Sequence, residues 1–234
     1  MIEKRIFMLF IVDFDGTISV NDTIDAMLEK FAVPTPTESW ADIEREWLDG
    51  NITAVTCMSR QVKLVKTDNI SLENFFRSIQ LDASFLPFYR YVTQFSKLVI
   101  ASDGLDHAIK VATKNAGWPE IPVYANHLSF TPDGINMSFP RMKADCTGGN
   151  GMCKCAVARA LVADAVGPII LVGDGKSDAC ISSMANIVFA KGSLIKHCEK
   201  NNIKHHKFQT FADVLAIVKK WAIELPQHAA KKFA

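Results

Sequence analysis

Apolar runs of strand length recur along the chain, and polar, glycine-bearing segments close three of them. The first is Arg5 to Val12, RIFMLFIV; Lys97 to Ala101, KLVIA, and Pro168 to Val172, PIILV, follow. Ile187 to Ala190 is a fourth, and Ile121 to Tyr124 a weaker fifth. Continuous rather than alternating apolarity predicts strands covered on both faces, as in a parallel sheet. Helical patterns separate these runs. Leu105 to Ala116 stops at Gly117, and Lys154 to Val166 stops at Gly167-Pro168, both ordinary helix ends. Strands alternating with helices predict an α/β, doubly wound, Rossmann-like parallel sheet.

Residues 22 to 96 depart from that rhythm. Ile24, Met27, Leu28 and Phe31 mark one helical face, and Trp40, Ile43, Trp47 and Leu48 a second, after Pro34 and Pro36. Val55, Met58 and Val62 mark a third helix, with two more over Leu72 to Ile79 and Phe88 to Phe95. The expected division is a core of residues 1–19 and 91–234, with a helical domain of residues 20–90 inserted after the first strand. Leu128 to Phe139, centred on Pro132-Asp133-Gly134, predicts a β-hairpin. The tail from Pro226 is expected to fray.

Composition narrows the class without changing this picture. Of 234 residues, 49% are hydrophobic and 22% charged, with 26 basic against 25 acidic residues. Those proportions exclude a disordered chain or a coiled coil, and a near-neutral balance with no basic face argues against a nucleic-acid partner. The apolar run Ile6 to Val12 is too short for a membrane span and lacks a cleavage site. A cytoplasmic protein with no membrane partner is expected. The six cysteines are too unevenly spaced for a disulfide scaffold and read as reduced thiols.

Chemistry gathers where strands end. Asp13-Phe14-Asp15-Gly16-Thr17 follows the first run, Ser102-Asp103-Gly104 the second, and Gly173-Asp174-Gly175-Lys176-Ser177-Asp178 the third. Lys154 opens the helix leading to that third strand. Each alone reads as a turn or a helix cap. Together they bring four acids, a serine and a lysine to the sheet edge where open α/β folds bind ligands. Acids hold Mg²⁺, a serine, a lysine and backbone amides orient a phosphoryl group, and a carboxylate is free to attack phosphorus.

The order DxDGT, S, K, GDxxxD resembles the haloacid dehalogenase superfamily of phosphohydrolases. That resemblance implies Asp13 as nucleophile and Asp15 as general acid and base. It implies Ser102, with Asp103 and Gly104, and Lys154 around the phosphate, and Mg²⁺ held by Asp13, the Asp15 carbonyl, Asp174 and Asp178. An acid at position 15 favours phosphoryl transfer over dehalogenation. The insert resembles the cap of the phosphoserine-phosphatase-like branch, which implies Asp22 and Arg60 as substrate contacts; an N-cap and a solvated charge are the plain alternatives. DFDGTISVND, SDGLD and the cysteine-rich stretch Cys146 to Cys155 resemble the group containing the methionine-salvage phosphatase. The substrate there is 2-hydroxy-3-keto-5-methylthiopentenyl-1-phosphate. That group also contains phosphocholine/phosphoethanolamine phosphatases, and phosphoserine is a further candidate. The expected partner is a small phosphorylated metabolite, with a homodimer left open. A phosphotransferase or mutase, and a non-enzymatic thiol–metal module, are the competing classes. For the last, Cys146, Cys153 and Cys155 with His205 or His206 would offer zinc ligands, against a glycine-rich loop of small buried thiols.

Overall fold

The computed structural model describes residues 8–131, 134–144, 146, 149–162 and 167–231. Arg5 to Phe7 of the first run, Pro132 and Asp133 of the hairpin turn, residues 163–166 of the helix before Gly167, and the last three tail residues lie outside them. Strand β1 (Met8–Val12) is followed by helices α1 (Thr23–Phe31), α2 (Trp40–Leu48), α3 (Ala54–Lys63), α4 (Asn69–Arg77) and α5 (Phe85–Val92). Then come β2 (Ser96–Leu105), α6 (Asp106–Asn115), β3 (Val123–Thr131), β4 (Gly134–Ser138), α7 (Lys154–Val162) and β5 (Ile169–Gly173). A 3₁₀ turn at Lys176–Asp178 leads to α8 (Ala179–Ser182), β6 (Ile187–Ala190), α9 (Gly192–Lys200), β7 (His206–Lys207) and α10 (Phe211–Lys231).

These strands form one sheet in the order β4-β3-β2-β1-β5-β6-β7, parallel except for the antiparallel β3–β4 pair. This is the doubly wound α/β architecture. The continuous apolarity of β1 has the expected cause. Met8, Phe10 and Val12 face a core shared with α5 and α10, while Leu9 and Ile11 face a second core shared with α7, α8 and α9. A strand covered on both faces has no position where a polar side chain would reach water.

Four of the five helices after β1 lie together over one end of the sheet. Asp22, Ser39, Thr53 and Asp68 cap α1 to α4, each accepting from backbone N–H groups of the first turn. The chain leaves the sheet region and returns side by side: Ser19 bridges Leu81, Val20 N–H donates to the Gln80 carbonyl at 2.9 Å, and Asp82 N–H donates to the Ile18 carbonyl at 2.8 Å. Beyond that crossing, α5 packs under the sheet, with Phe85 against Phe211 at 4.8 Å and Phe88 against Phe10 at 5.5 Å between ring centroids. The tail also differs from expectation: α10 continues through Pro226 to Lys231. No helix among the described residues is long and apolar enough to cross a membrane.

Candidate active site

The ends of β1 and β5 meet Ser102, which the motif reading puts at a strand end but which lies within β2, since that strand continues past an irregularity to Leu105. Asp13 follows β1 directly and is buried. Its Oδ2 lies 2.8 Å from Lys154 Nζ at the start of α7, and Lys154 also reaches Asp178 Oδ1 at 2.5 Å and Ser177 Oγ at 3.0 Å. Lys154 has no exposed surface. Burial opposes its charge, but Asp13 and Asp178 outweigh that and raise its pKa above the usual lysine value. The Asp13 carboxyl is raised well above its ordinary 3.8, first by burial and then by Asp178, with Lys154 acting against both.

Asp178 is wholly buried and its oxygens are divided between neighbours. Oδ1 meets the lysine; Oδ2 accepts from the N–H groups of Asp174 at 3.1 Å and Gly175 at 3.2 Å. It therefore shapes the loop that presents Asp174. Asp174 Oδ1 accepts from Thr17 Oγ1 at 3.0 Å, and burial, followed by Asp178, moves its pKa to about 6. Gly16 makes this approach possible. Its φ of +65° suits glycine, and a Cβ there would lie 2.5 Å from Asp174 Oδ2.

Asp15 points to the other side of the turn. Its Oδ1 accepts from Thr23 N–H at 2.9 Å and from the Thr23 hydroxyl, and its Oδ2 from Ser102 Oγ at 3.1 Å. Burial raises its carboxyl pKa despite the Thr23 and Ser102 bonds, which lower it. Ser102 sits inside β2, where the register against β3 shifts between Ala101 and Leu105; its Oγ accepts from Gly104 N–H at 2.9 Å. Gly104 packs so closely on Asp15 that no side chain fits there.

One cavity of about 340 Å³ joins these groups to the helices. Asp13, Asp15, Ser102 and Asp174 line its floor; Ile24, Glu44, Trp47 and Met58 line the opposite wall. Asp103 borders it too, but its carboxylate is engaged elsewhere, accepting from Met152 N–H at 2.7 Å and Asn126 Nδ2 at 3.1 Å. A group expected at the phosphate thus ties the loop before Lys154 to the sheet. Asp22 caps α1 and also borders the cavity. Although much of its surface is accessible, the surrounding protein and then Asp15 push its pKa well up.

Arg60, the other residue expected at the substrate, stands apart from these groups. It reaches Glu46 Oε2 at 2.7 Å and also pairs with Glu38, fastening α3 to α2, and it does not line the cavity. A solvated or substrate-facing arginine looks the same in sequence, because only packing places Glu38 and Glu46 beside it. Thr23, Trp47 and Asn150 went unassigned. Thr23 carried no signal, being eight residues from the acid it holds. Asn150, whose Nδ2 donates to the Ser177 carbonyl at 3.1 Å, lay in the stretch before Lys154.

Asp13, Asp174 and Asp178 each offer a carboxylate oxygen, all within 4.8 Å of one another, the one such three-residue group among the described residues. Clustered hard oxygens suit a small divalent cation. No family model matches the chain. In sequence it is similar to the 2-hydroxy-3-keto-5-methylthiopentenyl-1-phosphate phosphatase of Exiguobacterium sp., 28% identical over 213 residues, 89% of this chain and 96% of the relative. The same-named protein of Bacillus cereus is 29% identical over 212 residues, 88% and 94%. In fold the chain is similar to substrate-bound phosphoserine phosphatase, at a TM-score of 0.65 and 18% identity over 92% of this chain and 99% of the other. A phosphoserine phosphatase carrying a phospho-aspartyl intermediate analogue gives a TM-score of 0.63 at the same identity and coverage.

Proposed function

We propose that this chain is a phosphoric monoester hydrolase that removes phosphate from a small metabolite through an aspartyl-phosphate on Asp13. The observation that carries the reading is the convergence of Asp13, Asp15, Ser102, Lys154 and Asp174 at one sheet edge, around a cavity of metabolite size. The names of the sequence relatives support the same chemistry.

A carboxylate oxygen of Asp13 attacks phosphorus while the bond to the leaving oxygen breaks. Lys154 and Ser102 hold the phosphoryl oxygens. Asp15, beside Ser102 and on the far side of the turn from Asp13, donates a proton to the leaving oxygen. The resulting carboxylate then takes a proton from water as that water attacks the phosphorus of the acyl phosphate, which restores Asp13 and frees inorganic phosphate. Asp13, Asp174 and the Asp15 carbonyl, with Asp178 behind them, would hold Mg²⁺, which when bound offsets the negative charge of the phosphoryl group. Residues 20–80, which leave and rejoin the sheet region at the Ser19–Leu81 bridge, act as the cap. Lys176 Nζ, 4.7 Å from the Trp47 ring centroid, links the loop after β5 to α2.

For the substrate we favour 2-hydroxy-3-keto-5-methylthiopentenyl-1-phosphate. Ile24, Trp47 and Met58 offer an apolar wall to a methylthio chain, and Lys176 is the sole basic side chain among the described lining residues. That leaves the carboxylate of phosphoserine no arginine to pair with. A second reading rests on Asp22, Asp25 and Glu44, which border the same wall and would favour the cationic head of phosphocholine or phosphoethanolamine beside Trp47. Phosphate release with Mg²⁺ across these four esters tests both, with Asp13→Asn alongside. We expect the methylthio ester to lead and Asp13→Asn to lose about a thousandfold or more with its circular dichroism unchanged. Activity surviving that substitution would falsify the chemistry.

A further inference from the structure

Four of the six cysteines fall outside the chemistry above yet stand together. Cys146, Cys153, Cys155 and Cys180 line a second cavity, of about 630 Å³, on the α7–α8 side of the sheet. We infer that these four thiols form a binding site for a thiophilic divalent ion of the zinc class, separate from the acidic centre. Cys155 Sγ lies 3.4 Å from Cys180 Sγ, already close to the sulfur spacing of a tetrahedral site, about 3.8 Å for Zn–S bonds of about 2.3 Å.

The histidines named as candidate ligands are elsewhere. His205 Nδ1 lies 2.9 Å from the Ile203 carbonyl, and the His206 ring packs 5.2 Å from Phe189. The fold thus supplies Cys180 as the fourth ligand, twenty-five residues beyond Cys155. No three of these sulfurs lie within 4.8 Å of one another, so ligation closes the four sulfurs around the ion from the Cys155–Cys180 pair outward. Cys146 is held from both sides, its N–H donating to the Lys143 carbonyl and its carbonyl accepting from Gly149 N–H, each at 3.0 Å. Cys146 and Cys180 are partly exposed, which leaves the ion a way in. Lys143 and Arg159 border the cavity and offset the charge as the thiols give their protons to solvent on ligation. Soft thiolates select such an ion over Mg²⁺.

The position gives the site a purpose. Cys153 and Cys155 flank Lys154, and Cys180 follows Asp178 by two residues, so one ion would clamp both partners of the buried Lys154–Asp178 pair. The test is metal content of the full chain purified under reducing conditions with Zn²⁺ supplied, and the absorption spectrum after Co²⁺ replacement. We expect about one zinc per chain and intense thiolate-to-cobalt charge-transfer bands, which carboxylate ligation does not produce. Both should fall at least about tenfold in the Cys146→Ala/Cys180→Ala double variant and persist in Cys57→Ala. Spectra without thiolate bands, zinc unchanged in the double variant, iron with sulfide in place of zinc, or Cys155 and Cys180 recovered as a disulfide would overturn the site. The wild-type cobalt spectrum decides the matter even if the double variant does not fold.

Discussion

Asp13, Asp15, Asp174 and Asp178 crowd four carboxyl groups around a single buried lysine, and the pKa directions follow from that imbalance. Burial raises the first three, repulsion from Asp178 adds to it at Asp13 and Asp174, and Asp174 moves from 3.8 to about 6. A carboxyl whose pKa is raised by folding holds its proton more tightly in the folded chain. The stability tied to that proton is complete below 3.8 and is lost as pH rises through about 6. In a chelator, the thermal midpoint should therefore fall across this window, and Mg²⁺ added at pH 7 should recover it by occupying the deprotonated acids. Scanning calorimetry at several pH values, with and without Mg²⁺, checks this. A midpoint flat across the window and indifferent to Mg²⁺ would count against the acidic metal site.

At the scale of elements, the helices after β1 do different jobs. α1 to α3 bring Ile24, Trp47 and Met58 to the cavity, whereas α5 serves the sheet. α2 and α3 are fastened by Arg60 through Glu38 and Glu46. Because Arg60 does not line the cavity, Arg60→Ala should leave kcat/KM within about threefold, since its loss touches no group bound in the transition state. A small drop in thermal midpoint is expected, as for a partly exposed ion pair. Steady-state kinetics on the best ester decide it, and a large rise in KM would return Arg60 to the substrate. The helical periodicities of this region were legible because each helix buries one stripe. The packing of α5 was not, since an apolar stripe looks the same whichever neighbour covers it.

At the scale of the whole molecule, the cavity exists only because residues 20–80 fold back over the sheet edge. Its floor is set by the sheet and its roof by helices, so the proposed function divides reaction and selectivity between separate segments. Trp47→Ala should accordingly raise KM for the preferred ester about tenfold or more while kcat stays within a few-fold, as the loss of a pocket contact does. Kinetics across the four esters measure it. A fall in kcat with KM unchanged would mean that Trp47 serves the chemical step rather than the leaving group.

The sheet class and the positions of Asp13, Asp15, Ser102, Lys154 and Asp174 could be read from residue order alone. Strand ends in an open parallel sheet share one edge, so motifs that close successive buried runs must meet. Which side chains face them across the cavity, that Arg60 turns to Glu38 and Glu46, that Asp103 ties down a loop, and that Cys180 joins the thiols came only with the tertiary structure. Each depends on partners distant in sequence or on another element. Helix periodicity fixes the face a residue occupies but carries no information about what lies opposite it.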